Sequence, residues 1–425
     1  MLRKTAPNRP LTESEIVSSV EEALGGMAWK GRRALAILPD TTRTAPVALF
    51  FRAFHDAIVR AGGRLDCLIA LGTHPPLDRR RYLQLLGLGE EEYAAGFAGC
   101  RLLNHRWDDP GALELLGTLT AAQTAEATGG LMAEEVPITV NRLLLDYDQL
   151  LVLSPVVPHE VVGFSGGNKY FFPGVSGPEI IDYFHWLGAI VTIPRIIGRR
   201  ETPVRRVLDL AARLLPVPRY FFNLVVGDDG LRGIFAGPDE EAWRAAADLS
   251  ASLHIHYKPR RFRRVLGIAP AKYEDLWTAG KVAYKLDGIV EDGGELIIYA
   301  PHLTAVSYTH GELIEQVGYH VRDYFLTQSE RFAHVPGRIK AHATHVKGTG
   351  TYVNGREEPR IRVILATGIP EEICRRINLG YLDPGSIDVA DWAGREEDGI
   401  LLVREAGERL YRLAGPDRDN DCIGR

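Results

Sequence analysis

The sequence predicts an α/β protein made of two α/β domains, and three observations carry that prediction. Short apolar runs alternate with amphipathic stretches along most of the chain. At 425 residues the chain exceeds what one hydrophobic core usually organises. Between Asp248 and Arg264 the apolar periodicity weakens and charge rises, after which a second alternating series begins. A boundary there divides the chain into residues 1–256 and 257–425.

Arg33 to Pro39 reads as a buried strand. It is followed by a helical pattern with Val47, Phe50, Phe51, Phe54 and Ile58 on one stripe, then by a second strand from Leu65 to Leu71. Gly62 and Gly63 close the helix, and the short link into the next apolar run suits a parallel βαβ unit. Leu150 to Leu153, ending at Ser154 and Pro155, reads as another buried strand. In the second half, Val265 to Ala269 starts the new series. A helix is expected near Tyr273 to Val290, a strand from Glu295 to Ala300, helices after His310, and strands near Ile339 to His345 and Ile361 to Ala366. No fixed-period repeat or low-complexity segment is present.

Composition narrows the function classes. Hydrophobic residues at 45% and charged ones at 25% are ordinary for a packed globular protein, and a net charge of −5 gives no support to a nucleic-acid or anionic-membrane partner. The basic run KPRRFRR, Lys258 to Arg264, reads as a solvated segment between domains. The start MLRKTAPNRP is followed by no apolar stretch of signal-peptide length, and nothing later is long enough to cross a bilayer, so a cytoplasmic protein is expected. Cys67, Cys100, Cys374 and Cys422 lack a CxxC or zinc spacing, so any metal must lean on imidazole, carboxylate or a cofactor.

The chemistry-bearing residues follow the strands. Asp40, Thr41, Thr42 and Arg43 come directly after the first, where open α/β sheets place ligand-binding loops. An Arg there can grip a carboxylate in a two-toothed fork, and the Asp can orient it or a neighbouring imidazole; a helix-start Asp and a surface Arg is the plainer alternative. The second strand ends in Gly72, Thr73, His74, Pro75 and Pro76, a stiff loop suited to proton transfer, although a histidine near a turn also serves as a structural donor.

The stretch HEVVGFSGGNKYFFPGVSGPEIIDYFH, His159 to His185, follows the third strand. Gly163, Ser165, Gly166 and Gly167 offer backbone N–H groups to a phosphate, and Lys169 comes two residues later. It does not fit GxxxxGK[ST] and is not read as an ATP loop; a simple tight turn is the other reading. Phe171, Phe172, Pro173 and Gly174 form an apolar wall for a flat ring, and a helix from Gly177 carries His185 two turns on, facing back to the same pocket.

These residues resemble the nickel-dependent lactate racemase family along nearly the whole chain, most specifically in the first half. The family's D-x-T-R motif stands at Asp40 to Arg43, its G-T-H motif at Gly72 to His74, and its H…GFSGGxK…PG…H block at His159 to His185, with spacing intact. The resemblance implies two α/β domains, the first binding cofactor, with the active site in the cleft between them and the extreme C-terminus free to pack back on the first. The implied cofactor is a nickel-pincer pyridinium mononucleotide, made by separate enzymes. Lys169 would tether it, His185 would ligate nickel, and Ser165, Gly166, Gly167, Phe171 and Pro173 would contact it. His74 and His159 would be the paired acid and base, while Asp40, Arg43, Lys281 and Thr278 would face a 2-hydroxy acid.

Thr278 lies in DLWTAGK where the lactate enzymes carry Gln. With His302, His310, His320, His342 and His345 nearby in sequence, and with Tyr308, Thr309 and Asn354 as further hydroxyl partners, this favours a larger polyhydroxy acid over lactate. The competing readings are an NAD-dependent epimerase or dehydrogenase, a zinc hydrolase, and a non-catalytic protein binding a hydroxy acid or the cofactor. The first lacks a GxGxxG fingerprint and the second an HExxH cluster. The third has little use for two acid/base residues.

Overall fold

The computed structural model describes residues 1–415. Residues 416–425, which include Cys422 and the end expected to pack back on the first domain, lie outside the described residues. The chain has a mixed α/β fold in two compact units. One comprises Met1–Val157, Phe164–Ile181 and Arg205–Leu253; the other comprises Pro158–Gly163, Asp182–Val204 and the chain from His254 on. The units are therefore interleaved rather than divided by one cut.

The first unit is built on seven strands: β1 (Leu2–Thr5), β2 (Arg33–Leu38), β3 (Arg64–Ile69), β4 (Leu102–Asn104), β5 (Gln149–Pro155), β6 (Arg219–Gly227) and β7 (Gly230–Gly237). Their spatial order is β1-β7-β6-β5-β2-β3-β4. β2 to β6 run parallel, while β7 and β1 add an antiparallel edge. β2 and β3 are near-continuous apolar runs because both of their faces are covered. Helix α1 (Glu13–Gly25) starts from a capping box between Thr12 and Glu15. Helix α2 (Val47–Arg60) buries the stripe read from the sequence, with Phe54 lying 4.8 Å from Phe222 of β6. Gly62, at φ +81°, turns the chain from α2 into β3. The chain leaves β2 toward β3 on one side, and β5 lies on the other. Strand order thus reverses between β2 and β5, the crevice where open α/β sheets bind ligands.

The second unit carries an all-parallel sheet of β8 (Phe262–Ile268), β9 (Val290–Ala300), β10 (Arg362–Thr367), β11 (Gly380–Tyr381) and β12 (Ile400–Val403), in the order β11-β10-β9-β8-β12. Helix α3 (Pro178–Val191) starts in the first unit and runs into this one. The helix expected near Tyr273 to Val290 is split at Gly280 into α4 (Leu276–Ala279) and α5 (Lys281–Leu286), followed by a short 3-10 turn. Helix α6 (Arg322–Thr327) precedes α7 (Gly337–Lys347).

Helix α7 corrects one expectation, because Ile339 to His345 is helical rather than a strand. The local sequence alternates apolar and polar, but Ile339, Ala343 and Val346 also share a helical face, and their burial against the unit decides the outcome. A second correction concerns the basic run. It lies inside this unit, and four of its five cations are paired: Lys258 with Glu396, Arg260 with Glu397, Arg261 with Asp292, and Arg264 with Glu295, at 3.0 to 3.5 Å. Cys67, Cys100 and Cys374 are buried free thiols.

Candidate active site

The carboxyl end of β2 delivers Asp40 into a tight turn. Its Oδ1 accepts from the Thr42 N–H (3.1 Å) and hydroxyl (2.6 Å), which fixes the carboxylate, and its Oδ2 lies 2.5 Å from His74 Nδ1. His74 reaches it from the end of β3, where Gly72 turns at φ +56° and the His74 N–H bonds the Leu71 carbonyl. Burial alone would push the Asp40 carboxyl up, but the neighbouring His74 and then Arg43 hold it well below the usual carboxylate range. Asp40 is thus an ionised, buried acceptor. The His74 side chain keeps 41% of its surface exposed. The pair has the geometry of an oriented acid/base imidazole, with Nδ1–H directed at a carboxylate and Nε2 left for chemistry.

The Gly-rich block packs beside this turn: the Gly72 N–H bonds the Gly174 carbonyl, and a Cβ on Gly72 would meet Pro173 at 3.8 Å. Lys169 is half-buried, Phe171 is fully buried against Phe221, and Pro173 stays partly exposed. The amides expected to cradle a phosphate are largely spoken for. The N–H of Ser165 bonds Val157 O, that of Gly167 bonds Ser154 Oγ, and that of Lys169 bonds Gly166 O. The Ser165 hydroxyl donates to Pro155 O at 2.8 Å and accepts from the Val157 N–H. Ser165 and Gly167 therefore shape the loop. Gly166, at φ +82°, is required for close approach, since a Cβ there would stand 2.6 Å from Val156. Phe171 braces the loop from the core rather than presenting a free ring face.

Sequence reasoning missed what holds this loop from behind. Arg205 is buried, donates to the carbonyls of Phe164 and Gly166, and lies 4.0 Å over the Trp243 ring, whose Nε1 bonds Ser165 O. Asn168 bonds Asp209, whose carboxyl is raised to about 6 by burial against the pull of Arg205. No motif marks these residues, because an Arg in an amphipathic helix reads as surface. Replacing Arg205 by Met should lower unfolding free energy by about 3 kcal/mol or more, since buried carbonyls and a carboxylate lose their partner. Denaturant melts of the two proteins measure it, and an unchanged midpoint contradicts it.

In the second unit His159 is buried, and its Nδ1 accepts from the Val161 N–H at 3.1 Å with Glu160 3.6 Å away. An imidazole whose Nδ1 accepts carries its proton on Nε2 when neutral, the opposite tautomer to His74. His185, half-buried on α3, stacks at 4.2 Å on Phe184. Thr278 and Lys281 flank the α4–α5 break. Asp275 caps α4 through the Thr278 N–H (2.9 Å), and the Lys281 ammonium lies 4.9 Å over the Tyr273 ring.

The C-terminal imidazoles are mostly engaged in structure. His302 bonds Tyr273 O; His320 pairs with Glu357 at 2.9 Å and stacks on Tyr324; His342 lies between the hydroxyls of Tyr284 and Tyr319. His310 packs on Trp277, and His345 is buried. Asn354 and Gly355, both at positive φ, make the tight turn of the hairpin Gly350–Val353/Arg356–Pro359, so Asn354 is a turn residue. Tyr308 is 70% exposed.

Burial pulls His345 down to about 3 and His105, a core residue bonded to the Ser176 carbonyl, down to about 4. Unfolded imidazoles protonate near pH 6.5, so the stability these groups contribute is complete above that pH and is lost as pH falls toward 4. Denaturant titrations across this window should show stability falling, with His105→Asn flattening the slope by up to roughly 1.4 kcal/mol per pH unit. An unaltered slope contradicts the assignment.

Comparison with known proteins adds the family. Residues 3–193 match the model described as the lactate racemase N-terminal domain. The lactate racemase of Thermoanaerobacterium thermosaccharolyticum is 23% identical over 316 residues, spanning 68% of this chain and 66% of that protein. A crystal structure of a Thermotoga maritima protein superposes with a TM-score of 0.89 at 31% identity, covering 97% of this chain and all of that one. The lactate racemase apoprotein of T. thermosaccharolyticum shares the fold, with a TM-score of 0.70 at 18% identity over 96% of this chain and 94% of its own. Among the described residues no helix is long and apolar enough to cross a membrane. The motif block at Asp40 to His185 lies inside the matched segment, and the chain belongs to the lactate racemase-like family.

Proposed function

We propose that this protein is an isomerase that racemises or epimerises a 2-hydroxy acid, with His74 and His159 as its acid/base pair. The observation that carries this reading is the Asp40–His74 contact of 2.5 Å at the strand-order reversal. Inverting a carbon that bears hydrogen and hydroxyl requires the hydroxyl proton to leave and return as the carbon becomes a flat 2-oxo centre. With Asp40 ionised and accepting from Nδ1–H, His74 Nε2 is available to take that proton, and the carboxylate stabilises the resulting imidazolium. His159, its Nδ1 accepting from the Val161 N–H in this structure, is assigned the same exchange on the other face of the carbon; to give a proton it must be an imidazolium, with Nδ1 released from that N–H, and giving the proton returns it to the neutral form. Inversion in either direction needs one imidazole neutral and the other protonated, and the two exchange these roles when the direction reverses. Arg43 and Lys281 are assigned to the substrate carboxylate.

The donor set suits a nickel-pincer nucleotide. Lys169 offers a half-buried primary amine and His185 a half-buried imidazole, while Asn168 Oδ1 beside Lys169 is buried without a protein partner. Among the described residues no group of three or more His, Cys, Asp or Glu could hold a metal by itself. A nickel ion ligated by His185 would therefore draw its other ligands from the nucleotide. When bound, this group supplies reversible acceptance of the C2 hydrogen as hydride. Loading depends on the enzymes that make the nucleotide.

A polyhydroxy acid remains the favoured substrate, now on the strength of Thr278, because the C-terminal imidazoles and Asn354 largely have structural partners. Incubating cofactor-loaded protein with single-enantiomer hydroxy acids, followed by chiral chromatography, should give fastest inversion with a sugar acid. Faster inversion of lactate overturns that choice of substrate, and no inversion of any hydroxy acid overturns the reaction.

A further inference from the structure

The second unit contains a pocket of about 130 Å³ that no residue of the proposed active site lines. It opens where α3 and α7 end, between Thr192–Pro194 and Gly348–Gly350, with Asp287, Arg322, Thr344 and His345 on its walls. Asp287, Thr344 and His345 are each at least nine-tenths buried, and each leaves one atom without a hydrogen-bond partner: Oδ1, Oγ1 and Nε2 respectively. An orphaned buried polar atom costs about 1–3 kcal/mol, and native proteins contain few of them. Three on the lining of one cavity imply an occupant that bonds them. A water needs about 10–15 Å³ of such space, so one bridging water cannot fill the cavity, which has room for a molecule of a few heavy atoms.

Charge and chemistry narrow the occupant. Asp287 Oδ2 pairs with Arg360 at 3.0 Å, and Arg322 is taken up by Asp323 at 2.9 Å and by the Ile190 carbonyl at 3.0 Å. Each charge on the wall already has its counter-charge, so the site selects for neither sign. What remains is a carboxylate oxygen that needs a donor, and a hydroxyl and an imidazole nitrogen that can each give or take a hydrogen bond. Burial keeps that imidazole neutral. Ile193 and Pro194 supply an apolar wall. Thr192 holds φ at +80°, a costly conformation for a β-branched residue, on the same rim.

We infer that this pocket is a second binding site, for a small uncharged molecule with adjacent hydroxyls, of the size of a short sugar alcohol. One hydroxyl donates to Asp287 Oδ1, and its neighbour exchanges hydrogen bonds with Thr344 Oγ1 and His345 Nε2. The inference is independent of the reaction proposed above.

The test uses the full chain and erythritol as probe, with butan-1-ol as the matched compound lacking adjacent hydroxyls. Methyl NMR of Ile193 and Thr344 reads local binding, which the general exclusion of polyols from protein surfaces does not mimic. A crystal soak locates the probe. Saturable shifts with erythritol, weaker ones with butan-1-ol, and density joining the probe to Asp287 are expected. Thr344→Val and His345→Phe each remove an unpartnered polar atom, so both should fold at least as well as the parent. Erythritol should bind them about tenfold more weakly or worse, the loss of one hydrogen-bond partner. Ordered water alone in the soaked pocket, equal binding of butan-1-ol, or undiminished binding in both variants overturns the inference.

Discussion

Replacing His74 by Ala lowers turnover of the cofactor-loaded enzyme by about two to four orders of magnitude while leaving nickel at about one per chain. The residue sits outside the Lys169–His185 block, so loading is not expected to depend on it. Its value lies in an Nε2 lone pair aimed by the Asp40 contact. Asp40→Asn separates orientation from mere presence: an amide that turns its NH2 toward Nδ1 stabilises the opposite tautomer and removes the charge that supports the imidazolium. That variant should approach the His74→Ala loss with substrate KM little changed. His159→Ala should cost as much, because each direction of inversion uses both imidazoles. Near-normal rates for both histidine variants would show that proton transfer lies elsewhere.

The second large effect is on loading. Lys169→Ala should abolish the covalent mass increment seen when the protein is co-expressed with the nucleotide-making enzymes, and Lys169→Arg should do the same, because a guanidinium keeps the charge without offering an acylable amine. His185→Ala should weaken nickel retention by about a hundredfold or more, at least the loss typical of residues that only orient ligands. Intact mass and metal analysis separate the two roles: loss of tether with nickel retained, against loss of nickel with the nucleotide still attached. Fully active, nickel-free protein contradicts both.

Much of the first unit was legible because a single physical rule governs it. Parallel strands buried on both faces read as apolar runs, and the loops after them carry the chemistry, so Asp40, Arg43 and His74 could be placed at one sheet edge from the sequence. Local pattern could not reveal which amides of the Gly-rich loop turn inward, since Ser154, Val157 and Arg205 claim them only once the fold is made. Helix α7 was misread for a related reason. IKAHATHV satisfies both periods, and burial of Ile339, Ala343 and Val346 selects one. The Asn354–Gly355 turn carried a readable hairpin signal, and its polar side chain drew attention to substrate instead. The C-terminal histidines show the limit of counting residue types: two phenol hydroxyls, a glutamate and a backbone carbonyl hydrogen-bond His342, His320 and His302, and none of those partners is close in sequence.

The central claim is that the hydrogen on C2 leaves and returns as hydride while the imidazoles handle only the hydroxyl proton. Running the inversion in deuterium oxide with cofactor-loaded enzyme, and following C2 of the product by mass spectrometry and NMR, tests it directly. The account predicts inverted product that keeps its original hydrogen at C2. Deuterium appearing at C2 in step with inversion would mean that a proton is abstracted there by an imidazole, and would contradict it.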